Sequence, residues 1–261
     1  MALNLTAAQD FLKNTMYDTT DKMYRESTSA SSPNYKYYVN SANGLAFSVM
    51  HEYNYTQALE HLNQTVAIKA DVGKGSDTLR SHWADLFHPL WKSKIKVDYQ
   101  FRNTNEQTWE TLSHGVVYSN NADGSLRSTS DNKINTLCHY VMHEMLLYYT
   151  TGTSSHLTNA SGVWSTILSK FDDNAGGYVD EIPDYREAYK QALVKICSDR
   201  FPELAAIGTY TEPTGFFSNT LQDSVTGGIY ARYIRSGGNI VNNGSTFPNT
   251  EATACIVLAY R

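Results

Sequence analysis

His139, His143 and Glu144 lie in one candidate helix, and their types and spacing suit metal chemistry. Residues four apart project from one helix face, so His139 and His143 could share an ion, with zinc the fitting metal. Glu144, beside the second imidazole, could then act as the catalytic base on a metal-bound water. A second candidate lies in residues 172–183, Asp-Asp-Asn-Ala-Gly-Gly-Tyr-Val-Asp-Glu-Ile-Pro. Counted from Asp172 as a calcium loop, Asn174 falls at position 3, Gly177 at 6 and Asp180 at 9. Asp172, Asn174 and Asp180 are the candidate calcium ligands. Gly176 stands at position 5 and Pro183 at 12, so two oxygen ligands of an EF-hand are missing, the bidentate one included.

The His143-Glu144 step resembles the start of the zincin peptidase motif, His-Glu-x-x-His. Leu147 occupies the place of that motif's second histidine, and Thr153 the place of the later metzincin histidine. The segment Gly176 to Tyr185 is similar to the acidic stretch that follows this helix in basic secretory proteins, which are zincin-like. With the second zinc ligand absent, the activity is not carried over from the resemblance; a zinc-dependent hydrolase using His139, His143 and Glu144 rests on those residues themselves.

Each motif also has a plainer reading. On a helical wheel Ile134, Leu137, Cys138, Val141, Met145 and Tyr148 form the apolar stripe, and the two histidines fall nearly opposite it. That placement suits surface residues. The 172–184 segment can equally be a tight Gly-Gly turn whose acids favour the start of the next helix. No Gly-x-Ser-x-Gly, phosphate loop or dinucleotide fingerprint is present, so no cofactor-binding residue is assigned.

The elements that would carry these residues read as follows. Helices are expected over 6–25, 55–62, 78–91, 132–149, 162–171 and 185–197, with Gly152 as a natural stop for the fourth. Strands are expected at 35–39, 45–49, 94–102, 115–118, 228–234, 239–241 and 252–260. The 94–102 stretch alternates strictly, with Ile95, Val97, Tyr99 and Phe101 facing inward toward Trp83 and Phe87. No internal repeat appears at a fixed period. The sum is an α+β fold, helical in the middle, with a mixed or antiparallel sheet. It reads as a main domain, 1–205, and a β-rich C-terminal segment, 206–261, either separate or part of the same domain.

Composition narrows the partners. The 261 residues carry a net charge of −5 and no run of Lys and Arg, which disfavours a nucleic-acid partner. No apolar run is long enough to span a membrane. Cys138, Cys197 and Cys255 are far apart, each in an apolar neighbourhood, and read as buried free thiols in a reducing compartment. With no basic-then-apolar leader pattern, an intracellular or virion-associated location is favoured. Tyr outnumbers Phe, 19 to 9, and only 18% of residues are charged, a balance suited to protein contacts. The reading that follows is a non-enzymatic structural, assembly or receptor-binding subunit of a larger complex, such as a viral or phage particle. Its partners would be other subunits or further copies, docked through strand edges in the C-terminal third. The zinc-dependent hydrolase is the alternative.

Overall fold

The computed structural model describes residues 3–29, 40–72, 86–95, 109–112, 115–119, 132–174, 176–179, 185–213, 221–236, 239–242 and 247–261. The helices are α1 (Leu5–Asp10), α2 (Asn40–Tyr53), α3 (Tyr55–Val72), α4 (Pro89–Ile95), α5 (Ile134–Thr151), α6 (Ser154–Leu168), α7 (Ala188–Arg200) and α8 (Thr250–Tyr260). A π-helical segment, Phe11–Met16, continues α1, and a 3-10 turn, Pro202–Ala206, follows α7. Strands are short: β1 (Tyr17–Asp18), β2 (Met23–Tyr24), β3 (Trp109–Thr111), β4 (Val117–Ser119), β5 (Phe171–Asp172), β6 (Gly177–Tyr178), β7 (Tyr185–Glu187), β8 (Arg232–Ser236) and β9 (Asn239–Asn242). They pair as antiparallel β1–β2, β3–β4 and β5–β6, and as one three-stranded sheet ordered β7–β8–β9.

The described chain is therefore mostly helical, which corrects the α+β expectation and removes the β-rich C-terminal third. The decisive segment is 252–260. Its apolar run is long enough for a strand, but Asn249 starts a helix there, its Oδ1 accepting from the Ala252 N–H at 2.8 Å. Ala252, Thr253, Ala254, Cys255, Ile256, Val257 and Ala259 are all buried, so the helix is apolar around most of its circumference. A run buried on every side carries no period to separate helix from strand. The same cause misassigned 45–49, which is interior to α2 and buried throughout.

Other expectations divide. The long helix is present as α5, and Gly152 ends it with φ 69°, donating its N–H to the Tyr148 carbonyl. Lys94 and Ile95, read as the start of a strand, end α4 instead; 96–102, 35–39 and 78–85 lie outside the described residues. A strand overlaps the 115–118 stretch, at Val117–Ser119, and pairs with Trp109–Thr111. Residues 17–24, expected to be helical, form the hairpin β1–β2. All three cysteines are buried and free. No described helix is long and apolar enough to cross a membrane.

α2, α8, α7 and α5 pack side by side in that order, with α3 against α2, α6 against α5 and α1 against α8. Burying a side chain such as Trp164 or Phe47 in this core contributes about 2 kcal/mol or more from removed apolar area.

A repeated unit positions three of these helices. In each copy an aspartate opens a tight turn, the residue four later takes a left-handed backbone, and the residue six later is gripped by the next helix. The first copy is Asp18, Lys22 (φ 54°) and Tyr24; the second Asp172, Gly176 (φ 60°) and Tyr178; the third Asp223, Gly227 (φ 80°) and Ile229. The aspartate Oδ1 accepts turn N–H groups in every copy: Thr20 and Asp21, Asn174, and Val225. The grip is a side chain at the fourth residue of the following helix. Asn43 of α2 accepts from the Tyr24 N–H at 2.9 Å and donates to the Tyr24 carbonyl at 3.0 Å. Gln191 of α7 does the same to Tyr178, at 2.8 and 2.9 Å. Thr253 of α8 accepts from the Ile229 N–H at 3.0 Å. The repeat was invisible at a fixed period because the gripped residue and its clamp lie 19, 13 and 24 residues apart.

Two outcomes follow from this geometry. Gln191→Leu strands a buried N–H and carbonyl, and should cost about 2 kcal/mol or more in a denaturant titration. Lys22→Gly relieves a left-handed backbone at a non-glycine residue, and should raise stability by about 1 kcal/mol. The exposed Lys22–Glu60 pair at 3.8 Å offsets little of that gain.

Candidate active site

The zinc candidates lie on α5, but in surroundings unlike those expected. His139 is buried, with 2% of its surface exposed, and His143 is half-buried. The surface reading is corrected for His139, because α5 packs against both α6 and α7. Glu144 is buried, and its Oε2 accepts from His156 Nδ1 at 2.8 Å and from Asn159 Nδ2 at 3.2 Å. Its partners thus come from α6, a contact no spacing within α5 could announce. Among the described residues no group of three His, Cys, Asp or Glu side chains is arranged to hold a metal ion.

Of the calcium candidates, Asp172 and Asn174 are described. Asp172 accepts from the Asn174 N–H at 2.9 Å and pairs across β5–β6 with Gly177, so it belongs to the repeated hairpin turn. Asp180 lies outside the described residues.

A different group of acids converges where the repeated units meet. Glu26 follows β2 by two residues, Glu187 immediately precedes α7, and Glu251 is the second residue of α8. All three are half-buried. Ser27 bridges to Asn249 in antiparallel fashion, and the Thr250 hydroxyl donates to the Arg25 carbonyl at 2.6 Å, which sets Glu26 beside Glu251. Asn249 Nδ2 approaches Glu26 Oε1 at 3.5 Å. Glu26 Oε2 is buried without a hydrogen-bond partner among the described residues. Lys190, on the first turn of α7, reaches Glu187 Oε2 at 2.5 Å. Arg25 is engaged by Asp18 at 3.3 Å.

This environment penalises negative charge. Burial, then the nearby Glu251 charge, pushes the Glu26 carboxyl up to about 8. Burial, then Glu187, pushes Glu251 up to about 7, with Lys190 opposing. The two interact, so they titrate as a pair. Near neutral pH such a pair holds protons that it can donate, and carboxylate that can accept one. Sequence reasoning missed it because these acids stand in no motif and their neighbours Arg25 and Thr250 are 225 residues apart.

No family model matches the chain, and no curated protein matches it in sequence. Solved structures are similar at a distance. One is a polysaccharide lyase, 10% identical, with 98% of this chain and 88% of that one covered and a TM-score of 0.41. Another is a glycosyl hydrolase family 88 protein from Bacteroides vulgatus, 12% identical, covering 90% of this chain and 80% of that one, TM-score 0.42. Likeness this distant carries no argument about chemistry. The expectation of a non-enzymatic structural, viral or virion-assembly subunit is nonetheless corrected. It was read from composition, and the strand expected at 252–260 as part of its docking surface is a buried helix. The two similar structures named above carry the names of carbohydrate-processing enzymes.

The raised carboxyls fix a pH dependence. Their folded values, about 8 and 7, lie above the ordinary 4.5. The stability they contribute is present below 4.5 and is lost as pH rises through 7 and 8, because the unfolded chain releases those protons earlier. His61 acts at the other end. Burial holds its imidazole down at about 3 against 6.5, so its contribution is lost as pH falls from 6.5. Thermal melts should show declining stability from pH 5 to 8, and Glu26→Gln with Glu251→Gln should flatten that decline.

Proposed function

We propose that the protein is a carbohydrate-active enzyme that breaks glycosidic bonds by acid–base catalysis at Glu26 and Glu251. The observation that carries the reading is the meeting of these two carboxyls, from the first and last repeated units, in surroundings that keep a proton on the pair near neutral pH. Glycosidic cleavage asks for this combination: an acid to protonate the leaving oxygen and a carboxylate to serve the sugar carbon or a water. Glu26, higher of the two, supplies the acid at pH 7, and Glu251 supplies the carboxylate once the shared proton sits on its partner. Asn249 lies against Glu26 Oε1, leaving the buried Oε2 as the atom that carries the proton. Glu187 and Lys190 flank the pair, and the Lys190 charge eases the ionisation of Glu251.

The test is reducing-end release from a panel of aryl glycosides, oligosaccharides and polysaccharides. Activity should appear on at least one saccharide, with a pH profile whose limbs fall near 7 and 8. Glu26→Gln and Glu251→Gln should each lower kcat by about 10²-fold or more while the fold is retained. Full activity in both variants would contradict the assignment of these residues, and inertness on every saccharide would contradict the substrate class.

A further inference from the structure

A second set of titratable groups lies along α2, about 12 Å of helix rise from Asn43. His88 precedes α4, and its carbonyl accepts the first helical N–H, from Lys92, at 3.1 Å. Its Nδ1 accepts the Leu90 N–H at 3.1 Å, and Pro89 fills the first helical position. An imidazole thus takes the role usually given to Ser, Asp or Asn. Its own N–H donates to Ser48 Oγ at 2.8 Å, which ties the cap to α2. The bond to Leu90 requires Nδ1 to be the unprotonated nitrogen, so the neutral ring carries its proton on Nε2.

The surroundings make that cap sensitive to acid. The His51 ring lies 4.0 Å from His88, tilted by 31°, and Phe47 closes another side at 5.6 Å. Tyr55 of α3 meets His51 at 5.1 Å. Arg261, at the end of α8, reaches Glu52 at 3.0 Å and the Ser48 carbonyl at 3.3 Å. α4 adds Lys92 and Lys94. Among the described residues, His51 and Arg261 therefore oppose a positive charge on His88 and Glu52 favours it. A proton on Nδ1 turns the acceptor into a donor aimed at another donor. It also places positive charge at a helix N-terminus, where it is unfavourable.

We propose that His88 is a pH latch: protonation of Nδ1 uncaps α4 and loosens its hold on α2 and α3, so that mild acid opens this flank of the helix row. Trp91 and Ile95, which α4 buries, are the side chains this opening would free. The inference stands apart from the carboxyl pair and does not need the protein to be an enzyme.

Hydrogen exchange followed by NMR on the intact protein reads it directly. Protection of the Leu90 and Lys92 amides, corrected for intrinsic rates, should fall about tenfold or more from pH 7 to pH 5, while α7 amides hold. His88→Asp caps the helix through a carboxylate that stays ionised over that range, and should keep protection within about twofold. His51→Gln removes one neighbouring charge and should shift the loss to higher pH. Constant protection in the native protein, or an equal loss in His88→Asp, would overturn the latch. Ring-nitrogen NMR of the native protein decides the matter without a variant: neutral His88 must carry its proton on Nε2, and an Nδ1–H form at pH 7 would refute it.

Discussion

Everything else in this structure hangs on how a hairpin backbone is satisfied where it meets a helix. Tyr24, Tyr178 and Ile229 each present main-chain groups to the interior, and buried main-chain groups left unpaired cost free energy. The chain answers with a polar side chain at the fourth residue of the next helix: Asn43, Gln191 and Thr253. The clamp fixes the start of each helix against its hairpin. Because α2, α8 and α7 are neighbours, the clamps also fix those starts relative to one another. Glu26, Glu251 and Glu187 all lie within four residues of a clamp partner. The acids are therefore held together by polar contacts that carry no charge.

Glu26 and Glu251 differ from ordinary surface acids in what they lack. Lys190 is given to Glu187, and Arg25 to Asp18, so the cations nearby already have partners. Burial and mutual repulsion then outweigh the single opposing charge, and the proton becomes the cheapest counter-ion. The buried Glu144 shows the contrast: His156 and Asn159 address one of its oxygens directly.

Much of the helical content is legible in the residues, and α5 with its glycine stop is the clearest case. The reading fails where burial erases the pattern. α8 and the middle of α2 are buried around most of their circumference, and neither shows the 3.6-residue period that marks a half-buried helix. The repeated turn was half written in sequence. Asp-x-x-x-Gly-Gly occurs at Asp172 and again at Asp223, while the first copy has Lys22-Met23 where glycines stand in the others. The calcium reading of 172–183 fell on that turn, where Asp172 Oδ1 accepts the Asn174 N–H. The carboxyl pair had no local signal at all, because it forms only when the two ends of the chain meet at Ser27 and Asn249.

The carboxyl pair is the centre of this account, and its titration can be observed without knowing any substrate. Carbon-13 NMR of the glutamate side-chain carboxyls across pH 3 to 9, with Glu26→Gln and Glu251→Gln for assignment, measures it directly. The account predicts two transitions near 7 and 8, the upper one, at Glu26, moving downward when Glu251 becomes glutamine. Two independent transitions near the ordinary 4.5 would show both acids fully ionised at neutral pH and would contradict the acid–base site.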